Sequence, residues 1–190
     1  PVSTTPENRK VVLEEYTGIH CVYCPDGHKI ANQIKAAAPD DVFLINVHTG
    51  GYAVPNAGEP DFRTSFGTAL ANQTGLTGYP SGTVNRHVFS GSNTALSRSV
   101  WANSAAQIMT MSSYVNVATE AVVDVQTRQM TVDVELYFTG TAPSSVNLNV
   151  ALIQDNVEGP QTGGSTYNPT AILPNGKYNH GHMLRHFLTG

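Results

Sequence analysis

The stretch that decides the fold is Lys10–Tyr16 (KVVLEEY), followed by Cys21-Val22-Tyr23-Cys24 and Pro25. The first segment is rich in β-branched and apolar residues and predicts a short buried strand. Pro25 then opens a helix, since a first-turn N–H has no intrahelical partner to lose. Ile30 and Ile34, with Ala37 and Ala38, give that helix an apolar face at i, i+4 spacing. Ala38-Pro39-Asp40-Asp41 ends it, and Val42–Val47 (VFLINV) predicts a second buried strand. Strand, helix and strand with short links predict a βαβ unit with a parallel pair.

Further along, Thr49–Glu59 is a Gly/Pro loop and Pro60–Thr74 predicts a helix with Phe62, Phe66, Ala69 and Leu70 on one face. Leu76–Pro80 (LTGYP) leads into a predicted strand, Thr83–Phe89. A helix follows from about Asn93 to Met111, burying Leu96, Val100, Trp101, Ala105, Ile108 and Met109. Near Ser113 the period changes to two. Met130, Val132, Val134, Leu136 and Phe138 alternate, as do Val146, Leu148, Val150 and Leu152. Such a run predicts antiparallel strands in a β-sandwich. The expected organisation is therefore an α/β domain over 1–112 and an all-β, sandwich-like domain over 113–190. Asp155–Lys177 is a loop, which leaves the second domain short for a complete sandwich and implies a longer chain or a partner that completes the sheet.

Composition narrows the function classes. Charged residues are 13% of the 190, about half the usual share of ~25%, and Thr, Asn and Ser take their place. Net charge is −4 and no basic run exists, which excludes a phosphate-neutralising nucleic-acid surface. No apolar stretch approaches the ~18 residues of a helical membrane span. The chain begins at Pro1 without a signal peptide, so a removed leader or a trimmed chain is expected. With its Lys-poor composition, this points to an exported protein.

The chemistry centres on the two cysteines. They stand three apart, and none follows. A structural staple normally closes a longer loop, so the pair reads as a redox couple or half a metal site. Its position between strand and helix puts Cys21 at the helix N-terminus, where dipole and free N–H groups stabilise a thiolate. Cys21 then attacks and Cys24 resolves, with His20 assisting when protonated and Asp26 opposing. An inert disulfide is the competing reading. Glu15, six residues before Cys21, is a buried proton donor for Cys24 or a solvent-facing strand-end acid. Glu14 reads as solvent-facing. His180, His182 and His186 form H-x-H-x3-H, which in one strand shares a face. No acid completes that set, and it reads as a polar face. A zinc site from His20, Cys21, Cys24 and His28 lacks a second ligand pair. No metal and no cofactor are expected.

The strand KVVLEEY, the CxxC opening a helix, Glu15 before it and the later Gly78-Tyr79-Pro80-strand resemble the thioredoxin superfamily in kind and order. The resemblance implies that Pro80 is a cis-proline facing the disulfide and that Tyr79 contacts substrate backbone, with His20 and Tyr23 beside it. Val22-Tyr23 is neither Gly-Pro nor Pro-His, and the stretch between Cys24 and Pro80 is longer than a minimal thioredoxin's. More narrowly, VVLEEYTGIHCVYCPDGH and Tyr178–Arg185 (YNHGHMLR) resemble the Omp28-related outer membrane proteins of Bacteroidetes. That family implies a thioredoxin-like domain followed by a β-rich one, which the alternation after Ser113 makes an immunoglobulin-like sandwich, and an extracytoplasmic location. The expected function is thiol–disulfide exchange with protein thiols and disulfides as substrates. The alternative is a non-enzymatic envelope or adhesion module whose β domain binds an envelope protein.

Overall fold

A computed structural model describes residues 1–189. Strand β1 (Val11–Thr17) runs through the middle of a six-stranded sheet, and six of its seven residues are buried. Helix α1 (Cys24–Ala37) follows, with Pro25 in its first turn and Lys35 in its last. The Lys35 ammonium donates to the carbonyls of Pro39 (3.0 Å) and Val42 (2.9 Å), tying the last turn of the helix to the chain that follows it. Strand β2 (Val42–His48) then lies parallel to β1, from Val11 opposite Val42 to Thr17 opposite His48. The βαβ unit expected from the opening residues is present. The buried face of α1, however, is Cys24, His28 and Ala31, while Ile30 and Ile34 are half-buried.

Helix α2 (Gly67–Asn72) is far shorter than the predicted 60–74. The Asp61 carboxylate accepts the Arg63 N–H at 3.0 Å and holds the Arg63 guanidinium, a local turn that competes with helix. Phe62 is buried with Ile19 and Met183 instead of lining a helix. Strand β3 (Ser81–Val84) pairs antiparallel with β1 and stops well before Phe89. Asn85 and Arg86 take positive φ there, and the Asn85 amide bonds the Val12 N–H (2.7 Å) and the Lys10 carbonyl (2.9 Å) in place of a strand continuation. Strand β4 (Leu96–Ser97) pairs with β3, so Leu96, expected on the buried side of a helix from about Asn93, is in a strand instead. Helix α3 (Trp101–Met109) starts only after it. Trp101 is fully buried, its Nε1–H donating to the Leu96 carbonyl at 3.1 Å. Gly82 permits this packing, because a Cβ there would stand 2.9 Å from the indole and from the Glu14 carbonyl.

The chain divides into two compact units: residues 1–9 with 109–147, and residues 10–108 with 148 onward. This replaces the expected boundary at 112/113 with an excursion and return. In the first unit, β5 (Val115–Asp124) and β6 (Gln129–Phe138) pair along ten residues, from Val115 opposite Phe138 to Asp124 opposite Gln129. Among the described residues they pair only with each other, so the unit is a ribbon and not the expected immunoglobulin-like sandwich. In the second unit the returning chain supplies β7 (Ala151–Gln154), β8 (Val157–Gly159), the single turn α4 (Gly164–Tyr167), β9 (Tyr178–His180) and β10 (Met183–Phe187). β8 pairs with β9. β10 lies parallel to β2 and antiparallel to β7, giving the order β4-β3-β1-β2-β10-β7. The fold is mixed α/β with several sheets. Alternation alone could not reveal that residues after 148 rejoin the first sheet.

Candidate active site

The turn after β1 carries the cysteines. Gly18 allows the chain to pass hard against the Tyr52–Ala53 backbone, and the His20 N–H donates to the Tyr52 carbonyl at 2.9 Å. Cys21 and Cys24 are joined as a disulfide. Helix α1 begins at Cys24, with Tyr23 as its N-cap. Cys21 therefore sits in the preceding turn, one turn earlier than its expected place at the first helical N–H groups. Cys21 is 3% exposed and Cys24 fully buried, whereas Val22 and Tyr23 between them are exposed.

Segment 160–167 of the returning chain lies over this turn. The Gln161 amide donates to the carbonyls of Gly18 (3.2 Å) and Cys21 (3.1 Å), and the Thr162 N–H donates to that of Ile19 (2.8 Å). Gly163 has a φ of 75° and sits where any Cβ would strike the Val22 carbonyl. The rings of Tyr23 and Tyr167 meet with centroids 5.2 Å apart. His20 turns away to Glu59, at 2.9 Å.

The Tyr79–Pro80 peptide is cis. Pro80 packs on the first turn of α1, where a Cβ at Gly27 would stand 3.1 Å from the proline Cβ and would strike the Glu15 carboxyl. Gly27 thus lets Glu15 and Pro80 approach the helix backbone together. The Tyr79 ring stands edge-on to Tyr52, with centroids 5.8 Å apart. Glu15 is fully buried, and neither carboxyl oxygen has a hydrogen-bond partner. Burial pushes its pKa well above the usual range, against a smaller downward pull from Arg98 and with a further push from Asp26. Glu14, expected in solvent, is buried and accepts from Thr83 (2.9 Å) and from the Arg86 guanidinium at both oxygens.

Sequence reasoning passed over His48, weighed His28 only as a zinc ligand and read His180 as part of a polar face. His28 follows Cys24 at i+4 on α1, a spacing that could have placed both on one helix face. His28, His48 and His180 are all buried, and burial lowers the pKa of each: His28 to about 3, His180 to about 4, and His48 well below the usual value. The ring centroids of His180 lie 6.4 Å from His28 and 5.4 Å from His48. Among the described residues no group of three His, Cys, Asp or Glu side chains is arranged to hold a metal ion. The H-x-H-x3-H set does not share one face. His180 is on β9, His182 lies between strands with a φ of 54° beside Asp155 (3.2 Å), and His186 packs on Phe66 from β10.

Comparison with protein families matches residues 67–190 to the family described as outer membrane protein Omp28. That span holds Tyr79, Pro80 and the returning chain but not the cysteines. Comparison with curated proteins finds no match. Among solved structures, HBP35 of Porphyromonas gingivalis superposes with a TM-score of 0.73 at 21% identity, covering 96% of this chain. A structural-genomics protein from Agrobacterium tumefaciens superposes with a TM-score of 0.59 at 13% identity, covering 96% of this chain and 73% of its own. This chain spans 57% of the length of HBP35. At these identities the likeness is one of fold. No described helix is long and apolar enough to cross a membrane.

Proposed function

The chain belongs to the Omp28 outer membrane protein family, and we propose that it is an extracytoplasmic thiol–disulfide exchange protein with a thioredoxin-like core working through Cys21 and Cys24. The observation that carries this reading is the disulfide at a strand-to-helix turn with a buried, unpartnered carboxylic acid and Pro80 packed on the same helix turn. In this reading a substrate thiolate attacks Cys21 Sγ. The Cys21–Cys24 bond breaks, a mixed disulfide forms at Cys21, and Cys24 leaves as a thiolate. Glu15, held neutral by burial, gives its proton to Cys24. A second substrate thiolate then attacks the substrate sulfur of the mixed disulfide. The substrate disulfide leaves, and Cys21, released as a thiolate, takes a proton from water. Two thiols are oxidised and one protein disulfide is reduced. Pro80 shapes the groove, and Tyr79 and Tyr23 line its approach.

One observation favours a second reading. Cys21 is nearly inaccessible beneath Gln161, which suits a structural disulfide in a non-enzymatic envelope module. The exposed Val117, Val122, Val123 and Val125 of the ribbon and its turn would then meet a protein partner. Cys24→Ser separates the two. On exchange with a disulfide-bonded peptide it should accumulate a mixed disulfide at Cys21, and Cys21→Ser should accumulate none. A wild-type disulfide that resists dithiothreitol until the protein is unfolded, with no adduct on Cys24→Ser, would overturn the exchange reading.

A further inference from the structure

Beside Glu15, β1, α1 and the returning chain assemble a hydrogen-bonded chain that the exchange step above does not use. His28 Nε2 lies 2.9 Å from Thr17 Oγ1 and 3.8 Å from Glu15 Oε1. His28 Nδ1 lies 2.9 Å from the Tyr178 hydroxyl. Asn168 Nδ2 stands 2.8 Å from that same hydroxyl. An amide nitrogen can only donate, so the hydroxyl accepts from Asn168; Tyr178 is buried, and accepting from His28 as well would leave its own O–H unpaired, so that proton goes to His28 Nδ1. The imidazole proton is thereby assigned to Nε2, on the side of Thr17 and Glu15. Burial pushes the ring pKa down to about 3, so the ring is neutral at ordinary pH.

We propose that His28, locked as the Nε2–H tautomer by Tyr178 and Asn168, is the positioning residue for Glu15, presenting an N–H to the carboxylate that forms when Glu15 yields its proton. This rests on the exchange reading for its purpose, but not for its geometry. A fully buried carboxylate without a donor is costly, and an acid so placed keeps its proton. An N–H that swings from Thr17 to Glu15 removes that obstacle. Closing 3.8 Å to hydrogen-bond length, about 2.9 Å, takes less than about an ångström of side-chain movement. A purely structural acid would have its oxygens bonded, and Glu15 has neither bonded. The charged and titratable surroundings are Asp26 on α1, Arg98, His48 on β2, and Tyr178 and His180 on β9. Asp26 is paired with Lys29 (2.9 Å) and Arg98 (2.7 Å), and His48 and His180 are neutral donors or acceptors.

Imidazole nitrogen NMR on the full chain tests the lock without reference to activity. His28 should appear as the neutral Nε2–H tautomer across about pH 5 to 8, and Tyr178→Phe should release it to a tautomer mixture. An Nδ1–H or doubly protonated His28 in the wild type would overturn the proposal. In the reduced protein, carboxyl-carbon titration of Glu15 reads the partnership. His28→Phe, which has no donor, should raise the Glu15 midpoint by about one pH unit or more, and His28→Gln, which keeps an N–H, should restore it. The alkaline shift in the pH profile of dithiol oxidation should follow the same order. An unmoved midpoint in folded His28→Phe overturns the proposal. Should that variant not fold, Tyr178→Phe must raise the midpoint in the same direction, and its failure to do so is equally fatal. If these shifts appear in a protein that exchanges no thiols, the Glu15–His28 pairing stands and the exchange reading falls.

Discussion

Strands β1 and β6 are both rich in apolar and β-branched residues, yet they have opposite fates. In β1, six of seven residues are buried, because β2 and β3 flank it and further elements pack on the sheet. In β6 none of the ten is buried, although Met130, Val132, Val134, Leu136 and Phe138 alternate as a half-buried strand should. Alternation reports the pleat of a strand. It does not report whether another layer covers the apolar face. The titratable groups moved furthest by burial divide in the same way. Glu15, His28, His48 and His180 all lie in the six-stranded-sheet unit, while the only resolved shift in the ribbon unit is that of exposed Asp124, lowered by N–H groups of its own turn.

The sharpest way to break this contrast is one substitution made in both regions. Leu13→Ala, at a residue 1% exposed in β1, should cost about 2–5 kcal/mol. Leu136→Ala, at a residue 43% exposed in β6, should cost under about 1 kcal/mol. Urea midpoints followed by circular dichroism check both, and equal losses would mean that the ribbon is covered in solution. The next effect is pH-dependent. The buried histidines have folded pKa values below their unfolded value of 6.5, so their contribution is present above pH 6.5 and is lost as pH falls toward about 4 for His180 and about 3 for His28. Each ring should remove on the order of 2 kcal/mol between about pH 7 and 5. Glu15, raised by burial, works the other way: its contribution is full below about 4.5 and fades as pH rises. Glu15→Gln should therefore raise stability at neutral pH and steepen the acid loss. Fluorescence of Trp101, the one tryptophan of the chain, reads the sheet unit directly. The smallest effect is expected at Val125, 83% exposed in the turn after β5. Val125→Thr should shift the midpoint by less than about 0.5 kcal/mol, and a larger loss would indicate a buried partner for the turn.

The local chain by itself determined the opening of the fold. Lys10–Tyr16, the CxxC, Pro25 and Val42–Val47 carry their own propensities and short connections, and the βαβ unit follows from them. The ribbon strands were legible for the same reason, since a two-stranded antiparallel pair joined by a short turn is a local structure. The cysteine pair and Glu15 could be singled out because their spacing lies within one strand–turn–helix segment. What only the tertiary structure decided involves residues far apart in the chain. The predicted helices over 60–74 and 93–111 shortened where Asp61 made a local turn and where Leu96 found β3. The expected sandwich dissolved because residues after 148 return to extend the first sheet beside β2. That return also brings Gln161 over Cys21 and Tyr178 against His28, across 140 and 150 positions of sequence. No periodicity encodes such meetings, because the free energy of burying one edge of a sheet depends on which distant segment arrives to cover it.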